Sequence, residues 1–177
     1  ALRADLYDFL AAILARPPGE ALLAQTAALN GDATPMGQAV SALARVAGVS
    51  KPAGVEREFN ALFIGLGRGE LLPYASYYLT GFLNEKPLAN LRATMANFGM
   101  ARASDVFEPE DNIASLMEMM AGMIVGRFGR VAKVEEQKHF FNAHIGTWAT
   151  HYFSDLKAAK SSVLYASVGD VGAALMD

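Results

Sequence analysis

No cysteine occurs among the 177 residues, which excludes a disulfide scaffold, a zinc ribbon, an iron–sulfur site and a thiol nucleophile. Charge is sparse as well. Only 19% of residues are Asp, Glu, Lys or Arg, and 15 basic against 18 acidic residues leave a net charge of −3, so there is no basic footprint for nucleic acid. Long apolar runs are missing. The longest uncharged stretch, HFFNAHIGTWATHYFS, carries three His, two Thr and one Asn and is too short and polar to cross a bilayer, so no stable membrane insertion is expected. The opening ALRADLYDFLAAILARPP is apolar, but Asp5 and Asp8 interrupt the part that a secretory signal keeps uncharged, and it reads as a first helix. The absence of cysteine fits a reducing cytoplasm. Period-two alternation between hairpin turns is absent too, which argues against a sheet. What is present is 53% apolar residues, ample for one continuous core. The expectation is an all-α chain, 1–177, forming a single-domain bundle of roughly eight to ten helices.

Leu2, Leu6, Phe9, Leu10, Ile13 and Leu14 recur at helical spacing until Pro17-Pro18 stops them. GEALLAQTAALN gives a short helix ended by Asn30-Gly31. Met36, Val40, Leu43 and Val46 mark a helix over 35–47, and Val55, Phe59, Leu62 and Phe63 mark the next. GLGRGELLPYASYYLTG lacks clean periodicity and reads as an ordered loop leading to a short aromatic helix. Further helices are expected over 87–99, from about Pro109 to Phe128, from about Val134 to Leu156, and from about Ser161 to Leu175. Residues 65–73 and 99–108 are the expected hinges.

One stretch calls for chemistry. In FEPEDNIASLMEMM, residues 107–120, acid crowds around a proline and methionines follow. Asp105, Glu108, Glu110, Asp111 and Glu118 gather where no Lys or Arg intervenes, a field that could steer a cationic partner. The plain reading is that Pro109 opens a helix and that Glu110 and Asp111 compensate its dipole. The sharper reading starts from 3.6 residues per turn, which brings Asp111, Ser115, Glu118 and Gly122 within about 60 degrees of one another as a polar stripe. Met119 and Met123 then flank it. Adaptable thioethers beside acid suit a groove for a basic and apolar peptide, but the same methionines also read as core filler.

EFNALFIGLGRGELLPYASYYL, PLANLRATMANFGM, FEPEDN with its helix, and EEQKHFFNAHIGTWATHYFSDL stand in the order and spacing of the TorD/DmsD family, which the chain resembles over nearly its whole length. That family comprises cytoplasmic chaperones for molybdenum-containing oxidoreductases. Its acidic pattern, Glu-Pro-x-Asp-His, is matched at Glu108, Pro109 and Asp111, with Asn112 in place of His. Asn112 can cap or hydrogen-bond but cannot become charged, so a pH-sensitive role at that position is in doubt. The resemblance implies that this corner binds the twin-arginine signal peptide of a client enzyme, with Asp111 and then Glu108 meeting an arginine. It implies an apolar wall from Phe59, Leu62, Tyr74 and Tyr78, although Phe59, Leu62 and Phe63 taken singly also read as core. The usual Gly-Pro-Gly is Gly65-Leu66-Gly67 here, which would loosen that loop. The implied partner is an apo-molybdoenzyme with its leader, and the implied state is a monomer or a domain-swapped homodimer. No resident cofactor is implied; the weak guanine nucleotide binding credited to some members stays open.

Other classes find less in the residues. Glu135 and His139 could make half a metal site, but His144 and His151 lie about 10 Å apart along a helix and no cysteine completes a set. His144 and His151 are expected to be partly buried beside Phe141, Ile145, Trp148, Tyr152 and Leu156. GLGRG lacks the preceding strand and the Gly-Lys-Ser/Thr ending of a phosphate loop. Glu108 and Asp111 could act as acid and base, but no nucleophile accompanies them. A stably bound accessory subunit of an oxidoreductase is the remaining alternative to a releasing chaperone.

Overall fold

The structure is a computed structural model that describes residues 2–177. Among them are ten α-helices and no strand, which makes the chain all-α as expected. In chain order they are α1 (Leu2–Ala15), α2 (Glu20–Ala27), α3 (Pro35–Val49), α4 (Pro52–Phe59), α5 (Ala75–Thr80), α6 (Lys86–Asn97), α7 (Ile113–Val125), α8 (Val134–Phe140), α9 (Ala149–Ala158) and α10 (Leu164–Met176). π turns continue α4 over Asn60–Ile64 and α8 over Phe141–Ile145. The described residues gather into two compact units: residues up to Ala15 with Pro73–Ala149, and Arg16–Leu72 with Thr150–Asp177.

In the first unit α7 is the central element. Ile113, Leu116, Met117, Met120 and Met123 are all buried, so the helix is apolar nearly all round and must be enclosed. α1 packs along it, with Leu10 and Ile13 fully buried, while Leu2, expected on the same stripe, lies exposed. α7 begins later than the proline suggests. Asn112 is extended (φ −63°, ψ 140°) and its Oδ1 accepts from the Ala114 N–H at 2.9 Å, so it is the N-cap and Pro109 lies before the helix. Gly126, at φ 86°, ends α7 in the left-handed conformation. The long helix expected over 134–156 is instead broken by the π turn and the turn at 146–148. A Cβ on Gly146 would come within 2.8 Å of the Phe141 ring, so the ring as placed folds over a position that carries no side chain.

α8 starts at an electrostatic anchor. Glu136 accepts from the Lys133 N–H at 2.7 Å and from Arg130 at 2.6 and 2.7 Å. The Arg130 bonds lead in holding its carboxyl down to about 2, with the Lys133 N–H adding to them. Stability from this group is therefore complete above the ordinary carboxylate value and is lost as pH falls toward 2. Glu136→Gln should flatten the acid-side decline in unfolding midpoint between about pH 5 and about pH 3, measured by urea denaturation.

In the second unit α3 packs against both α2 and α10. Thr34 caps α3, its Oγ1 accepting from the Gly37 N–H at 3.1 Å, and Pro35 takes the first turn. The N-terminus of α10 is held from a distance in sequence. The Glu58 carboxylate accepts the N–H groups of Val163, Leu164 and Tyr165 at 2.7, 3.2 and 2.8 Å. Glu70 does the same for the turn before it, accepting from Lys160 and Ser161 at 2.6 and 3.1 Å, and those bonds hold its carboxyl below the ordinary range. Glu58→Ala should lower unfolding stability by roughly 1–3 kcal/mol, the scale of lost charged hydrogen bonds. Exposed Glu56→Ala should change it by no more than about 0.5 kcal/mol in the same urea titration.

Candidate functional site

The acidic segment is fastened to the turn before α5. Tyr74 and Asn112 form an isolated antiparallel bridge, with the Ala75 N–H donating to the Asp111 carbonyl at 3.0 Å and the Ile113 N–H to the Pro73 carbonyl at 2.9 Å. Asp111 adds its side chain: Oδ2 accepts from the Ser76 N–H at 2.8 Å, in the first turn of α5. Ser76 Oγ in turn accepts from the Glu85 N–H at 3.2 Å, extending the network to the start of α6. Asp111 is only 1% exposed, and its Oδ1 is buried without a hydrogen-bond partner. The residue expected to meet a ligand arginine thus faces inward and caps α5.

Its neighbours divide the remaining acid. Glu108 is exposed and accepts a hydrogen bond from the Tyr74 hydroxyl. Burial, and then that bond, push the Tyr74 phenol above its ordinary pKa. Glu110 is 9% exposed and is gripped side-on by Arg92 of α6: Nε lies 3.2 Å from each carboxylate oxygen and Nη2 lies 2.9 Å from Oε2. Burial alone would raise the Glu110 pKa, but the Arg92 bonds, aided by the charges of Arg92 and Arg102, bring it below the ordinary range. Arg92 keeps about half of its side chain in solvent. Sequence reasoning left Glu110 to the helix dipole and missed Arg92, because no periodicity connects α6 with the turn before α7.

The other expected residues scatter. Phe59 and Leu62, expected on an open wall, are 7% and 0% exposed in the second unit, where Phe59, Phe63 and Tyr165 form a ring cluster with centroids 4.9 to 5.9 Å apart. Tyr74 and Tyr78 are half-buried in the first unit, and the Tyr78 ring lies 5.3 Å from that of Trp148. Pro109 and Asn112 are half-buried, and Glu118 is exposed on α7. Met117, Met119, Met120 and Met123 are all buried, so the core reading describes them. Met123 also borders a pocket of about 340 Å³ with Phe98, Phe128 and Arg130. Gly122, placed on the polar stripe, lies under the Phe128 ring, which a Cβ would meet at 2.5 Å. His144 is buried, with Nε2 2.9 Å from Thr94 Oγ1, whereas His151, expected partly buried, is exposed. Burial holds His144 below its ordinary pKa. Among the described residues no group of three or more His, Cys, Asp or Glu is placed to hold a metal ion, and no helix is long and apolar enough to cross a membrane.

The fold is shared with the crystal structure of a protein from Archaeoglobus fulgidus described as a candidate redox enzyme maturation protein, at a TM-score of 0.63 and 16% identity over 98% of this chain and 93% of that one. The family follows from the sequence comparison. The chain belongs to the nitrate reductase delta subunit family, whose model matches residues 29–154, and the resemblance to TorD/DmsD proteins is thereby established. Several relatives are named chaperone protein TorD. The one from Photobacterium profundum is 29% identical over 109 residues, 57% of this chain and 50% of that protein. The one from Vibrio atlanticus is 28% identical over 123 residues, 64% and 57% respectively. The chain thus spans about half the length of the curated relatives it matches.

Asp111→Ala should cost roughly 1–3 kcal/mol of unfolding stability, because the Ser76 N–H loses its buried acceptor. Asp111→Asn, which keeps an oxygen for that N–H, should retain most of it. Urea midpoints for the two variants provide the check, with exposed Asp105→Ala expected to stay within about 0.5 kcal/mol of the parent.

Proposed function

We propose that the chain is a cytoplasmic, non-catalytic maturation chaperone. It binds the twin-arginine signal peptide and the apo-form of a molybdopterin-dependent oxidoreductase, and it delays export until the cofactor is loaded. Family membership and relatives named as TorD chaperones support this reading. The observation that carries it is the corner itself: Glu108 is exposed at the edge of a hydrogen-bonded turn, and Glu110 beside it already holds a guanidinium. Phe107, 86% exposed, and Val106, 40% exposed, supply apolar surface next to that acid in the chain. A twin-arginine leader presents two guanidinium groups before an apolar stretch, the complementary chemistry. Asp111 serves this reading as the residue that positions the corner, not as a ligand contact.

Calorimetric titration of the full chain with a twin-arginine leader peptide should show binding, and replacing both arginines by lysine should weaken it, since an ammonium lacks the planar fork. Glu108→Gln should weaken the arginine peptide by roughly 1–3 kcal/mol. Equal affinity for arginine and lysine leaders would remove the acid corner from the site, and absence of any leader binding would defeat the proposal. A stably bound accessory subunit is the second reading, favoured by the description of the matched family as a delta subunit. Stoichiometric copurification with mature, cofactor-loaded enzyme would favour it over release.

A further inference from the structure

The acidic corner is already occupied by one of the chain's own arginines. Three hydrogen bonds join Arg92 to Glu110, in the side-on arrangement by which a guanidinium satisfies a carboxylate. The two ends of the pair differ in accessibility, with 53% of the Arg92 side chain exposed against 11% of Glu110. Arg92 can therefore swing into water at little cost, whereas Glu110 cannot lose its partner without leaving a largely buried carboxylate unpaired. Next to Glu110 in the chain, Asp111 Oδ1 is buried without a hydrogen-bond partner. The Glu110 hydrogen bonds first, and then the charges of Glu110 and Asp111, stabilise the Arg92 cation. Arg102, on the loop before the acid, is the other cation whose charge reaches Glu110.

We infer that Glu110 is the guanidinium-reading residue of the corner and that Arg92 is its resident surrogate, displaced when an arginine of an incoming peptide takes its place. This rests on the leader-binding reading above and adds to it an exchange: one guanidinium leaves Glu110 as another arrives. Such an exchange keeps the carboxylate paired throughout, and it selects arginine over lysine because an ammonium cannot reproduce the fork. It also weakens every arginine ligand by the strength of the internal pair, which makes release easier.

The test follows both partners in the chain of residues 1–177. A twin-arginine leader peptide is titrated into wild type, Arg92→Ala and Arg92→Lys, and side-chain nitrogen NMR follows Arg92 Nε–H in the wild type. With the internal competitor gone, Arg92→Ala should bind the arginine leader roughly 3- to 10-fold more tightly, with Arg92→Lys intermediate, and a di-lysine leader should gain little. At saturation the wild-type Arg92 Nε–H signal should move to its solvent-exposed position. If the wild type binds the leader while that signal stays fixed and Arg92→Ala binds no more tightly, the exchange is wrong and the leader-binding reading stands. If no variant binds the leader and no signal moves, that reading fails and the exchange fails with it. The NMR arm needs no variant, so a folding defect in Arg92→Ala would not leave the matter open.

Discussion

A single buried carboxylate organises the acidic corner. Asp111 uses its backbone carbonyl to close a two-residue bridge with the turn at Pro73–Ala75 and its Oδ2 to cap α5. Segments more than thirty positions apart in sequence are thereby joined by hydrogen bonds that cannot be traded for water, because the carboxylate is sealed from solvent. Asn112, next in the chain, uses its side chain to start α7. The bridge thus fixes both where α5 begins and where α7 begins, and Glu108, Glu110 and Tyr74 take their positions from it.

That arrangement separates acids that look alike in sequence. Glu108 stays in solvent and is tied by a phenol, Glu110 is mostly buried and neutralised by Arg92, and Asp111 is internal. A net negative segment is therefore not a free negative patch. What the corner offers a cation is one exposed carboxylate and one carboxylate whose partner is replaceable. This favours ligands that supply a planar guanidinium over ligands that supply charge alone.

The helices themselves were largely legible. Periodicity, Pro17-Pro18 after α1 and Pro35 at the start of α3 mark stops and starts that depend on neighbours within a turn, and those are the interactions a linear sequence displays. Where the reading slipped, a ring packing back on its own helix or a tertiary bridge had intervened. The helix expected over 134–156 breaks where the Phe141 ring folds over Gly146. α7 starts four residues after Pro109 because Asn112 is held extended by the bridge. The methionines of α7 suited a groove as well as a core, and burial resolved them as core in this structure.

The sequence by itself determined that the chain is helical, that it lacks the ligands for a cysteine-based centre, and that acid is concentrated before one strongly apolar helix. It also carried enough ordered motifs to identify the family. Only the tertiary structure decided which acid faces water, which is paired and which is buried. Those outcomes depend on Arg92, Tyr74 and Ser76, residues supplied by other segments. The physical reason is range: caps and periodicity are settled within a few residues, whereas the burial and pairing of a charge are settled by whatever the fold brings beside it.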